Sequence, residues 1–83
     1  MERAEIQEKI KEVVESMASA KLDSFDQEIF KSGFLDSLNV LHVIVFIEKT
    51  FDLKIETFDL TIDSLATVNL ITDFISKKLR EKK

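Results

Sequence analysis

Apolar side chains recur early in the chain at Ile6, Ile10, Val13, Val14 and Met17, intervals of three and four that fall on one stripe of a helix. Glu2, Glu5, Glu8, Lys9, Lys11, Glu12 and Glu15 fill the other positions, with acids placed early, where the helix dipole favours them. The pattern predicts an amphipathic helix over residues 3–19. From 20 to 36 the period is lost, and the segment reads as a long loop anchored to the core by Leu22, Phe25, Ile29, Phe30, Phe34 and Leu35. Structureless loops of this length are unusual in so small a domain and are usually functional.

Residues 37–51, Ser-Leu-Asn-Val-Leu-His-Val-Ile-Val-Phe-Ile-Glu-Lys-Thr-Phe, are strongly apolar. Their β-branched density would also suit a buried strand, but the length and the series Val40, Val43, Ile44, Ile47, Phe51 favour a helix. With that stripe turned inward, Leu38, Leu41 and Val45 remain on another face, again at helical spacing. In a domain with so thin a core, a second apolar face is expected to serve a partner. A connector covers Asp52 to Ile62, a short helical turn is expected within Asp59–Leu65, and a last helix within Thr67–Lys82 turns Val68, Ile71, Phe74, Ile75 and Leu79 inward. The predicted fold is all-α, a small antiparallel bundle of three main helices plus one short helix. It forms one domain over residues 1–83, with a basic tail, 77–83, partly frayed.

Composition narrows the function classes. With 45% apolar and 34% charged residues the chain is of ordinary globular type, and 83 residues allow one thin core without a deep active-site cavity. The formal charge of −4 is uneven: residues 22–75 carry ten acids and three bases, whereas 76–83 carry one acid and five bases. An acidic body argues against nucleic acid as partner. The terminal cations Lys77, Lys78, Arg80, Lys82 and Lys83 are explained by a helix C-terminus, whose dipole they complement. There is no cysteine, no apolar run long enough to span a membrane and no signal-peptide core at Met-Glu-Arg-Ala-Glu-Ile, so the cytoplasm is the expected compartment; a monomer is expected as well.

The candidate chemistry converges on Gly33-Phe34-Leu35-Asp36-Ser37-Leu38, where the loop gives way to the apolar helix. The glycine permits a tight turn, and Asp36 is a helix N-cap candidate. Ser37 then stands beside the unpaired N–H groups of a helix start, whose field favours a phosphate. A catalytic serine would need a base, and the sole histidine, His42, lies five residues on, about 140° around the helix axis. No Gly-x-Ser-x-Gly elbow is present, because Leu35 and Asn39 flank the serine at those places. One histidine makes no metal site, the acids Asp23, Asp26 and Glu28 lack calcium-loop spacing, and a single glycine excludes a phosphate-binding glycine loop. No catalytic or metal-ligating set emerges, so Ser37 reads as a point of attachment.

In these features the chain resembles the acyl carrier protein family, with its peptidyl and D-alanyl carrier relatives. The resemblance runs through the first helix, the long loop, Gly33–Leu38, Glu48-Lys-Thr-Phe51-Asp52 and Ala66-Thr-Val-Asn-Leu-Ile-Thr-Asp-Phe-Ile75. It implies that a phosphopantetheinyl transferase, using coenzyme A and Mg²⁺, attaches 4′-phosphopantetheine to Ser37, with Asp36 helping the transferase and its metal. The terminal thiol of that arm would carry acyl or aminoacyl groups as thioesters. The implied partners are the transferase, a loading ligase and downstream acyl-using enzymes.

A second Asp-Ser-Leu occurs at Asp63-Ser64-Leu65, but it lacks the preceding glycine and the long loop, and reads as a helical turn. Carriers of fatty-acid synthesis typically line the second helix with acids. Residues 37–51 have no net charge with His42 neutral, so recognition is expected to rest on Leu38, Leu41, Val45 and Glu48 rather than on steering toward basic patches. That departure points to a specialised stand-alone carrier. The competing reading is a helical adaptor without a prosthetic group, in which Ser37 is an ordinary helix start. A small DNA-binding helical domain is opposed by the acidic body.

Overall fold

The computed structural model describes residues 2–36, 38–56 and 62–81. The described residues form three α-helices and a 3₁₀ helix: α1 Arg3–Ala18, α2 Asn39–Phe51, the 3₁₀ helix Ile62–Leu65 and α3 Val68–Glu81. No strand occurs among them. The bundle is therefore all-helical, as the periodicity predicts. Of the expected short turn, Asp59 to Thr61 lies outside the described residues, as do Lys82 and Lys83 of the basic tail.

Each helix buries the stripe read from its spacing. α1 buries Ile6, Ile10 and Val14, α2 buries Val43, Ile47 and Phe51, and α3 buries Val68, Ile71 and Ile75. Val13, Met17, Val40, Ile44, Phe74 and Leu79 pack against this core from its margin. Fully burying one such aliphatic side chain contributes about 1.5–3 kcal/mol, so these three stripes supply the main driving force. Thr72 is buried with them, and its hydroxyl is satisfied by donating to the Val68 carbonyl at 2.8 Å.

α1 and α3 run antiparallel, since Arg3 pairs with Asp73 at 2.6 Å and Gln7 donates to Asn69 at 2.7 Å. The end of α2 lies beside the end of α3, where Asp52, Leu53 and Lys54 share a groove with Lys78 and Glu81. α1 and α2 both end on residues with left-handed backbone, Ser19 and Asp52, each with φ of 53°. This geometry returns the cap amide to the last turn, at Glu15 and Ser16 in α1 and at Glu48 in α2. α3 stays helical through Glu81, so Lys77, Lys78 and Arg80 occupy its last turns, where cations are favoured.

The long loop between α1 and α2 is held by groups that helices leave unpaired. The Asn69 amide in the first turn of α3 donates to the Phe25 carbonyl at 3.0 Å, and the Ile29 amide donates to the Ala66 carbonyl at 2.7 Å. Thr67 caps α3, its hydroxyl accepting the Leu70 amide at 3.0 Å. At the loop entrance, Glu15 accepts the Leu22 amide at 2.7 Å. Ile29 and Leu35 are both buried, and the Leu35 amide donates to the Ile29 carbonyl at 2.9 Å, which closes the last part of the loop on itself.

Candidate functional site

The closed segment 29–35 fixes where the chain leaves the core. Gly33 turns it with φ of +82°, a left-handed conformation that costs a glycine least, and its amide donates to the Phe30 carbonyl at 3.1 Å. Two residues later Leu35 is buried at 3% exposure, and immediately beyond it Asp36 is exposed. Leu38 is 80% exposed. Within four positions the chain passes from the hydrophobic core to open solvent. Ser37 itself lies outside the described residues, while the residues on both sides of it face solvent.

Asp36 caps the helix that follows. Its Oδ1 accepts the amides of Leu38 at 3.0 Å and Asn39 at 3.2 Å, and its carbonyl accepts the Asn39 amide at 3.1 Å. The carboxylate thus satisfies two of the amides that a helix start leaves open. Regular α2 begins at Asn39 rather than at residue 37, with Leu38 already in helical backbone at φ −70° and ψ −26°. One sequence expectation changes here. The amides of Leu38 and Asn39 are not open to an incoming phosphate, because Asp36 already holds them.

The second apolar face of α2 exists as an exposed stripe. Leu38, Leu41 and Val45 are 80%, 69% and 45% exposed, and they are three of the four large apolar side chains most open to solvent among the described residues. The fourth, Leu70, lies on α3. Glu48 stands apart from the stripe it continues in sequence. It is half-buried, and its Oε2 accepts the Ile55 amide at 2.9 Å while its carbonyl accepts the Leu53 amide at 3.2 Å. Its carboxylate thus pins the connector that follows α2. His42 is exposed on the solvent side of the helix. The first turn of α2 holds no acid.

Asp63, Ser64 and Leu65 form the 3₁₀ helix, with Leu65 buried and the Ala66 amide donating to the Asp63 carbonyl at 3.3 Å. The second Asp-Ser-Leu is therefore a turn into α3, as expected. No group of three or more histidines, cysteines and carboxylates able to hold a metal ion occurs among the described residues. No described helix is long and apolar enough to cross a membrane.

Some residues that shape the site carry no motif. Asn69 donates to Asp26 Oδ1 at 2.7 Å and accepts from Gln7 at 2.7 Å, joining α3, the loop and α1 through one side chain. Glu15 ties the loop entrance in the same way. The one sequence signal was position: Asn69 follows the capping residue Thr67 by two, where its backbone amide has no partner within the helix.

No family model matches the chain. Among curated proteins it is similar to a D-alanyl carrier protein of Lactobacillus delbrueckii subsp. bulgaricus, 28% identical with 87% of the chain and 94% of that protein aligned. It is likewise similar to the D-alanyl carrier protein of Bacillus cereus, 28% identical with 94% of the chain and 96% of that protein covered. The D-alanyl carrier protein of Streptococcus sanguinis is 26% identical over 88% of the chain and 94% of its own length. Among solved structures, an acyl carrier protein from Thermotoga maritima superposes with a TM-score of 0.72 at 28% identity, covering 100% of the chain and 96% of its own.

Proposed function

We propose that the chain is a carrier protein of the acyl carrier protein family and that Ser37 is the residue that carries its phosphopantetheine arm. Members of this family hold acyl or aminoacyl groups for other enzymes and catalyse nothing themselves, and the family implies such an arm together with partner ligases. The observation that supports Ser37 over Ser64 is the emergence of the chain there: buried Leu35, then exposed Asp36 and Leu38 on either side of the serine. Ser64 instead belongs to a 3₁₀ turn beside buried Leu65.

The surroundings suit such a group. An enzyme can approach a serine flanked by exposed residues, and the flexible arm needs open solvent to swing between partners. Ser37 Oγ would attack the phosphorus of coenzyme A, forming a phosphodiester as the bond to 3′,5′-ADP breaks, and its proton would pass to a base of the transferase. Asp36 positions the helix start and presents a carboxylate beside the serine, where it would assist the transferase and its Mg²⁺. Once attached, the arm supplies a thiol on which acyl and aminoacyl groups are held as thioesters. The relatives named D-alanyl carrier proteins support an aminoacyl cargo.

Partners would dock on Leu38, Leu41 and Val45. The face carries little charge: α2 has no acid in its first turn, and Glu48 is half-buried with one carboxylate oxygen accepting the Ile55 amide. Recognition then rests on apolar contact, with little electrostatic steering. The compartment is taken to be the cytoplasm and the state monomeric.

The test is intact-mass measurement after incubation with coenzyme A, Mg²⁺ and a broad-specificity phosphopantetheinyl transferase. One phosphopantetheine should add to the wild type and to Ser64→Ala, and none to Ser37→Ala. Failure of the wild type to gain mass would favour the adaptor without a prosthetic group. Loss in Ser64→Ala alone would move the attachment to the other serine.

A further inference from the structure

The second Asp-Ser-Leu segment, which carries no arm in the reading above, is joined to the first through the backbone. The Ala66 amide donates to the Asp63 carbonyl at 3.3 Å, the Ala66 carbonyl accepts the Ile29 amide at 2.7 Å, and the Ile29 carbonyl accepts the Leu35 amide at 2.9 Å. Asp36 and Ser37 follow Leu35 directly. Ile29 stands in the middle of this line and is fully buried, as is Leu65 next to Ala66. Building on the proposed attachment at Ser37, we infer that Ile29 is a positioning residue for that serine. Its two backbone bonds fix the place where the chain leaves the core to the end of the 3₁₀ helix, and turnover by the transferase depends on that tie.

Among the described residues, the hydrogen bonds of residues 29–35 stay within 28–35 except for the one from Ile29 to Ala66. The other ties between loop and helices, at Leu22, Phe25 and Asp26, hold the earlier part of the loop. The Gly33 turn and the Leu35 bond close 29–35 into one piece, so the Ile29 bond is its directional attachment to the rest of the fold. The buried Leu35 side chain resists withdrawal from the core, but apolar burial has no direction, whereas a hydrogen bond weakens steeply off its axis. Residue 37 comes two positions after Leu35, within about 7 Å of it along the chain. On its far side, Asp36 holds the amides of Leu38 and Asn39. Bonds in such a line polarise and strengthen one another, so loss of the middle one loosens both ends. A displacement of about 1 Å in a reacting group can cost about 10²-fold in rate. That loss falls on the chemical step, because the surface of α2 beyond the Asp36 cap is left as it was.

The experiment removes the Ile29 N–H and keeps its side chain. The full chain is made by chemical synthesis with an ester in place of the amide at Ile29, which deletes the donor to Ala66. One control carries the same replacement at Leu53, whose amide donates to the Glu48 carbonyl at 3.2 Å at the far end of α2. The other is Ser32→Ala, because the ester also weakens the Glu28 carbonyl that accepts the Ser32 hydroxyl. Transfer from coenzyme A with Mg²⁺ is followed by intact mass, with the chain as the varied substrate and circular dichroism checking that each chain is folded. The Ile29 ester should lower kcat about tenfold with KM unchanged within about twofold, and both controls should match wild type within about twofold. An ester at Leu35, which cuts the next bond of the line, should reproduce the loss in kcat. Amide exchange gives a readout independent of the transferase: the Leu35 amide should exchange about tenfold faster relative to Ile71 of α3 in the Ile29 ester, and in neither control. Unchanged kcat, a change confined to KM, or an equal loss in the Leu53 ester overturns the inference and leaves the attachment intact. Exchange that speeds equally at Leu35 and Ile71 is general loosening and overturns it too. If wild type itself gains no mass, the attachment at Ser37 falls, and the inference with it.

Discussion

Asp36 offers the most direct test of how the site is built, because its cap and its charge can be separated. Replacement by alanine removes the acceptor of the Leu38 and Asn39 amides, bonds of 3.0 and 3.2 Å. Loss of such a cap costs about 1 kcal/mol, with a range of about 0.5–2. Loss of the negative charge at the helix start adds about 0.3–1 kcal/mol for an exposed group. Asp36→Asn keeps an oxygen in the Oδ1 position and forfeits only the second contribution. With a urea m-value of about 1 kcal/mol/M for a domain this small, the alanine variant should unfold about 1–2 M earlier than wild type. The asparagine variant should shift by less than half as much. Urea titration followed at 222 nm reads both, and m should be the same for all three chains. Equal shifts for the two variants would refute a cap made by oxygen geometry, and no shift for alanine would refute the cap altogether. If the carboxylate also assists the transferase metal, Asp36→Asn should fold nearly as wild type yet gain phosphopantetheine more than tenfold slower.

The loop that delivers the site yields two further expectations. Leu35→Ala deletes most of a side chain that is 3% exposed and should cost about 2–5 kcal/mol, a large part of the stability of an 83-residue domain; hydrogen exchange should show the Leu35 amide losing protection first, and retention of wild-type protection would contradict its role as the anchor. Asn69→Ala cuts two bonds of 2.7 Å, one to Asp26 and one from Gln7, each partly or fully open to water. It should cost about 1–2 kcal/mol and loosen residues 20–30 more than the helix ends, which limited proteolysis of that segment would register.

The periodic parts of this protein were legible in its sequence. Ile6, Ile10 and Val14, like Val43, Ile47 and Phe51, are buried because a helix places every third or fourth residue on one side, whatever it packs against. The same rule exposed Leu38, Leu41 and Val45 once the inward stripe was assigned. The Asp36 cap was equally local, since its acceptor and its donors lie within three residues of one another. Tertiary structure decided the fate of polar groups that have no partner nearby in sequence. Phe25 and Ile29 of the loop meet the start of α3 because α3 has amides to spare there and Ala66 a carbonyl. Glu48 reads from sequence as the polar end of a docking stripe, yet its carboxylate turns to the Ile55 amide, and Asn69 reads as a plain helix residue, yet it joins three segments. Side-chain period is fixed by the backbone's own geometry, whereas a hydrogen bond needs a second group whose position is known only after the chain has packed.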